Sequence, residues 1–516
     1  MTDTSQAQTR VFLMIVLFAA LVRLVFLNSL SGNDDLSVAE CALDLLERGF
    51  HLADGGYCVR YGITLPLAAV FAAAGTGAAQ ISVVPALASL TGIFLAWRLG
   101  RLLFDRWVGL AAAAALAVFP LDVEFAGLAF PDALQGTLMS GAALCALLAR
   151  SRGDLWAVAA GALWAWAYYV KLDAFFLGFV LLLAMLLGFI SLRHLVITGA
   201  VSLLLVGIEL ATYATLIGRP LLNLELNSAA SNEVLTPGYD YRSFFIYPKA
   251  MFLAPYETGL HFFVLLGALF VAAWTRSRPA LFLAGWILIW MVWLMFGVNP
   301  LGGFTGKAQL TRYLLSFAAP LSVLCGWVLV LLWRRSRLLG AGLAGASLAL
   351  IVLFGAFNQL SYESAKATRV ALETAVRNEW FPLYPDSHSM GIVRFLLYGR
   401  PHATDVYQVQ KHDYLRGETT FYPIQGPQAY LLINEARSRN QQRSKMVRPV
   451  DPVSFGLKPT EVLSVDNPMN ANNYTALRLL VGAASLLPDS LSRGINATAI
   501  ETRRPADARI WRLDTP

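Results

Sequence analysis

The sequence predicts a mainly α-helical, polytopic membrane protein. It reads as about eleven transmembrane helices, amphipathic juxtamembrane helices in a first outer loop, and a small C-terminal α/β outer domain. Three observations carry this. Of 516 residues, 57% are apolar and only 14% charged, where a soluble chain carries roughly 25% charge. Mean hydropathy is +0.57. Long uncharged stretches recur, separated by arginine clusters. A length that would suggest about three soluble domains thus belongs mostly in lipid. Disorder, collagen-like repeats and a small disulfide scaffold are excluded on the same composition. The net charge of +7 fits positive cytoplasmic loops and not a nucleic-acid surface. Four cysteines, with no C-x-x-C or H-x-x-x-H spacing, make no metal cluster.

A spanning helix needs about 20 mostly apolar residues. The candidates are Val11–Leu30, Gln80–Trp97, Trp107–Leu121, Ala133–Ala149, Leu155–Val170 and Ala174–Leu192. Leu195–Leu216, Leu260–Trp274, Pro279–Val298, Tyr313–Trp333 and Leu338–Leu360 follow. The basic clusters Arg98/Arg101/Arg106, Arg150/Arg152, Arg193, Arg276/Arg278 and Arg334/Arg335/Arg337 all fall on the cytoplasmic side only if the stretch Tyr61–Trp97 crosses once. Residues 62–74 then form a helix in the outer leaflet. The N-terminus is inside, and the first segment is an uncleaved anchor. The membrane part covers 1–361, with an outer loop at 31–61, and an outer domain covers 362–516. In that domain Ala429–Ile433 and Ala508–Leu513 read as strands. Ser387–Leu397 and Leu477–Ala484 read as short helices, and Met446–Asp451 and Asn467–Asn473 as loops. The loop Ile217–Gly259 gives little signal.

Polar groups near lipid are costly, so each needs a reason. Asp34 and Asp35 precede apolar residues at Val38, Cys41, Ala42, Leu45 and Leu46. That is helical spacing, and it puts both carboxylates at the start of an amphipathic helix. A plain N-cap would explain them equally well. Asp122, Glu124 and Asp132 cluster near the outer ends of the third and fourth spans. Lys171 and Asp173 end the fifth, where an interfacial pair would also account for them. Lys307, Arg312 and Tyr313 lie between spans nine and ten, and Arg60 precedes the re-entrant helix. Cations on the outer face run against the positive-inside rule, and beside carboxylates they suit an anionic ligand such as a phosphate. Arg23, inside span one, reads as structural. Glu209 and His261 read as packed polar residues. Cys41 and Cys58 share the first outer loop, where a disulfide is allowed and would tie the amphipathic helix to the loop's return.

Five blocks, in this order, carry a family resemblance: ALVRLVFLNSLSGNDDLSVAECALDLLERG, VRYGITLPLAAVFAAAG, FPLDVEFAGLAFPDAL, AGALWAWAYYVKLDAF and TRYLLSFAAPLSVLCGW. Over roughly Val11 to Trp327 the chain resembles the GT-C membrane glycosyltransferases. The likeness is to the branch of protein O-mannosyltransferases and lipid A aminoarabinose transferases. It departs from the family in having Asp34-Asp35 where Asp-Glu is usual, and Val38 where an aromatic is common.

The resemblance implies a sugar donor on a polyprenyl phosphate and inverting transfer to an acceptor hydroxyl at the outer (periplasmic) membrane face. The acceptor could be a lipid, glycan or protein. It implies Asp34 as catalytic base, with Asp35 the alternative, and Asp132 positioning the acceptor or sugar. Lys171, Arg312, Arg60, Lys307 and Tyr313 are the donor phosphate-binding candidates. Asp34, Asp132 and Glu124 could hold Mg²⁺ or Mn²⁺; some relatives need a metal and others do not. An O-antigen ligase or polymerase is disfavoured by the acidic first loop. A lipid or sugar transporter is disfavoured by charges gathered at one face without a visible repeat. The Ala-, Leu- and Arg-rich make-up suggests a bacterial inner membrane.

Overall fold

The computed structural model describes residues 2–32, 34–53, 56–226, 245–253, 255–297, 310–360, 363–413, 418–435, 450–466, 482, 485–486 and 507–514. The predicted helix Leu477–Ala484, the loop Asn467–Asn473 and most of Met446–Asp451 lie outside them, as does Lys307. The chain divides into two compact units. The first comprises Met1–Leu27, Cys41–Val70 and Ser82–Gly355. The second comprises Asn28–Glu40, Phe71–Ile81 and Ala356–Pro516. The second unit therefore starts at Ala356 and takes in two segments that sequence reading assigned to the membrane part.

The first unit is helical. A helix occupies each predicted span, from Thr2–Val25 to Arg337–Leu360. Six of the described helices are long and apolar enough to cross a membrane: Gln6–Val25, Ala78–Leu103, Pro131–Arg152, Leu192–Leu216, Arg278–Phe296 and Thr311–Arg335. Shorter apolar helices include Tyr61–Ala74, Arg106–Ala117 and His261–Thr275. The protein is a multi-pass membrane protein, and Tyr61–Ala74 is the helix expected at 62–74. Enclosure ranks the spans. The apolar window of Pro131–Arg152 is 94% buried in protein, against 11% for Leu192–Leu216. The first is a central post and the second faces outward with Leu203 and Leu204 exposed.

Lipid supplies no hydrophobic drive between helices, so close packing of small residues has to. At Gly326 a Cβ would sit 2.5 Å from the Ala112 backbone nitrogen, so Ala318–Arg335 meets Arg106–Ala117 backbone to backbone. Asp105 sets the turn before the latter helix. Its carboxylate accepts from the Trp107 and Val108 N–H groups at 2.8 and 3.0 Å and from Arg334 at 2.7 Å, an N-cap held by a second span. Arg23 is buried. It donates to Ser89 at 2.6 Å and to the carbonyls of Ala19, Ala117 and Leu116, and pairs with Asp122. It joins its own helix to three others, the structural role its depth suggested.

Cys41 and Cys58 form a disulfide, with Cα atoms 4.9 Å apart. It fastens the amphipathic helix Asp34–Arg48 to the chain that re-enters at Tyr61. Closing a loop this short removes about 3 kcal/mol of unfolded-state entropy in the chain-entropy account.

In the second unit, strands β1 (Leu383–Pro385), β4 (Gln428–Asn434), β5 (Lys458–Val465) and β6 (Ala508–Asp514) form a sheet ordered β1-β4-β6-β5. β1 runs parallel to β4, and the other pairs are antiparallel. β2 (Gln410–Asp413) and β3 (Glu418–Phe421) pair separately. Strands and a helix fall where the alternation placed them, at Ala429–Ile433, Ala508–Leu513 and Ser387–Leu397. β4 is buried on both faces. Tyr430 and Leu432 pack with Ala371, Leu372 and Ala375 of the helix Glu363–Arg377, while Leu431 and Ile433 pack with Tyr384, Val409 and Leu513. Buried Asp386 ties the layers. One oxygen accepts the Ser389 N–H at 2.7 Å, capping Ser387–Leu397, and the other accepts the Asn434 N–H at 2.8 Å. Asn434 in turn donates to Thr368 at 3.0 Å.

Titration of the denatured, unreduced protein with a thiol reagent should find two reactive thiols per chain, Cys145 and Cys325. Four would contradict the disulfide.

Candidate active site

Asp132 organises the site. Pro131 begins the central helix Pro131–Arg152, a first-turn position to which proline is pre-organised. This leaves Asp132 in the first turn, where the helix dipole favours a carboxylate. Asp132 is fully buried. Lys171 Nζ donates to Asp132 Oδ1 at 2.6 Å, and Arg312 Nε lies 3.2 Å from Oδ2. Lys171 also stands 3.7 Å from Asp173. Its ammonium sits 3.5 Å from the centre of the Tyr313 ring, and the Arg312 guanidinium lies 4.2 Å from the Phe130 ring centre. Arg60 stacks on Tyr57 at 4.5 Å and is close enough to act electrostatically on Asp132. Three cations thus face two carboxylates in largely desolvated surroundings. The balance is positive, and low polarity strengthens every charge interaction.

Local structure places each cation. Lys171 follows the helix Asp154–Val170 in extended conformation, where the chain leaves α geometry before the 3-10 turn Leu172–Phe176. Gln135 accounts for the backbone there, donating to the Lys171 carbonyl at 3.1 Å. Arg312 and Tyr313 lie in the 3-10 segment Thr311–Phe317, which runs against Gly136. A Cβ on Gly136 would come 2.4 Å from the Leu315 carbonyl oxygen. Ser316 donates to Gln135 at 3.4 Å, so one helical turn after Asp132 grips both cation-bearing segments. Gly62 does the same for Arg60: a Cβ there would meet the Val170 nitrogen at 2.5 Å, and Trp166 donates to the Gly62 carbonyl at 2.9 Å. Burial pushes the pKa of the Glu257 carboxyl up. Tyr247 is fully buried.

Of the residues singled out in the sequence, Asp132, Lys171, Arg312, Tyr313 and Arg60 come together in the first unit. Asp122 does not join them; it is committed to Arg23 and accepts from Ser89. Glu124 sits half-buried in the short helix Pro120–Phe125. Asp34 and Asp35 belong to the second unit and differ sharply there. Asp35 is fully buried, with one oxygen accepting the Ser31 N–H at 2.7 Å and the other the Ser31 hydroxyl at 2.5 Å. Asp34, the first residue of its helix, is partly exposed. His261 and Glu209 are packed polar groups, with His261 Nε2 2.9 Å from the Ala115 carbonyl and Glu209 accepting from Asn223 at 3.2 Å. Gln135, Gly136, Gly62 and Tyr247 were not anticipated. Only the proximity of Gln135 and Gly136 to Asp132 in sequence hinted at them.

A divalent metal does not fit the Asp132 cluster. Both oxygens of that carboxylate already face cations, and among the described residues no three His, Cys, Asp or Glu side chains are grouped to hold an ion.

Residues 63–211 match the family described as dolichyl-phosphate-mannose-protein mannosyltransferase. No curated protein matches by sequence. Among solved structures, the chain is similar to ArnT from Cupriavidus metallidurans in the apo state, at 16% identity and a TM-score of 0.60, covering 85% of this chain and 95% of that one. The same ArnT bound to undecaprenyl phosphate gives 16% and 0.55, covering 85% and 96%. The archaeal oligosaccharyltransferase AglB from Archaeoglobus fulgidus, in complex with an inhibitory peptide and a dolichol-phosphate, gives 12% and 0.59, covering 99% and 89%. The matched segment contains Asp132 and Lys171, and the chain has the fold that the sequence resemblance implied, that of the GT-C membrane glycosyltransferases.

Proposed function

We propose that the protein is a glycosyltransferase that moves a sugar from a polyprenyl-phosphate donor to an acceptor hydroxyl at the outer face of a bacterial inner membrane. The observation that carries this reading is the buried cluster of Lys171, Arg312 and Arg60 around Asp132. A lipid phosphate leaving group gains negative charge as its bond to the sugar breaks. Cations fixed in place beforehand stabilise that charge without reorganising. The lipid-phosphate ligands of the ArnT and AglB structures support the same donor class.

In this reading Asp34 takes the proton from the acceptor hydroxyl. The oxygen attacks the sugar's anomeric carbon from the face opposite the phosphate. The new C–O bond forms as the old one breaks, the bonding pair leaves with the polyprenyl phosphate, and the configuration inverts. Lys171 and Arg312 receive the phosphate oxygens, and Tyr313 adds a hydroxyl. Asp34 is favoured over Asp35 because it is partly exposed where Asp35 is fully buried. Asp132 acts as a positioning residue that aims the cations. The sugar and the acceptor are for the assay to name.

Membranes carrying the protein, supplied with radiolabelled polyprenyl-phosphate sugars, should transfer label from one donor. Asp34→Asn should lower turnover by roughly 10²–10⁴-fold, and Lys171→Ala by roughly 10²–10³-fold, both at normal protein levels. Transfer from no donor would sink the reading, and equal rates in wild type and Asp34→Asn would remove Asp34 as the base. Gly136→Ala should also depress transfer, because the added methyl must displace the segment bearing Arg312. Unchanged kinetics in that variant would show that the close approach is dispensable.

A further inference from the structure

Within the second unit, a cleft of about 470 Å³ has Gly77, Ala78, Arg369, Glu373, Arg377 and Arg400 around it. Its apolar floor includes buried Leu372 and Leu397. Three observations define its chemistry. Arg369, Glu373 and Arg377 are spaced by four along Glu363–Arg377, so they share one helix face, and Arg400 joins them from beyond the end of Ser387–Leu397. Glu373, 3.6 Å from Arg369 Nε, is the one acidic side chain among the described lining residues, so the cleft is net positive. Ala78 opens the stretch Ala78–Leu103, which is long and apolar enough to cross a membrane, so the lining borders a segment of the kind that lies in lipid.

We propose that this cleft binds the phosphate of an anionic phospholipid headgroup, with the arginines on the phosphate and the leucine floor against the first acyl carbons. The combination of a basic rim, an apolar floor and an adjoining apolar stretch suits a lipid better than a free anion, which would have no use for the floor. The site is separate from the Asp132 cluster and does not depend on the transferase reading.

The test is a titration of the full-length protein in neutral detergent with phosphatidylglycerol, reading bound lipid by native mass spectrometry. Phosphatidylcholine and inorganic phosphate serve as the other probes. Wild type should bind phosphatidylglycerol in preference to phosphatidylcholine. Each basic residue near a lipid surface contributes about fivefold, so the triple variant R369Q/R377Q/R400Q should bind about a hundredfold more weakly. Glu373→Gln should tighten binding, a change that arginines merely offsetting helix dipoles would not produce. Equal binding by wild type and the triple variant would overturn the proposal. So would full competition by millimolar inorganic phosphate, which would make the ligand a free anion. If the triple variant does not fold, absence of tightening in Glu373→Gln overturns it alone.

Discussion

The buried carboxylate of Asp132 is the constraint on which the first unit turns. A charge in such a place is tolerated only when paired and hydrogen-bonded. Lys171 and Arg312 come from segments 39 and 180 positions away in the chain. Meeting their charge at one carboxylate fixes where the end of Asp154–Val170 and the 3-10 segment Thr311–Phe317 must lie. Removing one partner of such a group typically costs about 3–5 kcal/mol, so the arrangement persists although apolar packing would be as stable. What it yields is a set of preorganised cations in low-dielectric surroundings. The glycines serve the same end, since Gly136 and Gly62 let backbones approach to distances that any side chain would forbid.

The same logic separates two acidic groups that look alike in sequence. Asp122 and Asp132 lie ten positions apart near two span ends. Asp122 meets Arg23 and Ser89 and becomes a bolt between helices. Asp132 meets cations whose charge exceeds its own. Asp34 and Asp35 divide in a comparable way, since Asp35 spends its oxygens on Ser31. In each pair the surroundings, and not the residue type, decide how each carboxylate is held.

Much of the fold was legible because lipid makes long hydrophobic runs a direct record of where helices lie. Every predicted span has its helix, and β4, β6 and the helix Ser387–Leu397 fall where alternation and apolar spacing placed them. The site was legible in its charges, because Lys171 and Arg312 break apolar stretches where cations are expensive. Gln135 and Gly136 were not, since an amide and a glycine inside a helix carry no period or charge. Their roles exist only once Leu315 and Lys171 arrive from elsewhere. The membership of the segments 28–40 and 71–81 in the second unit was equally hidden. It follows from packing such as Leu36 against Gly391 and Phe71 against Phe395, which no local pattern announces.

The most direct measurement is equilibrium binding of undecaprenyl phosphate to wild type and to Asp132→Asn. Simple charge counting says that removing a carboxylate beside cations should tighten binding of an anion. The opposite is expected: without Asp132 the buried Lys171 loses the partner that keeps it charged and Arg312 loses its anchor, so affinity should fall by about tenfold or more, the order expected for a lost charged hydrogen bond. Equal or tighter binding by Asp132→Asn would contradict the claim that this carboxylate organises the phosphate site.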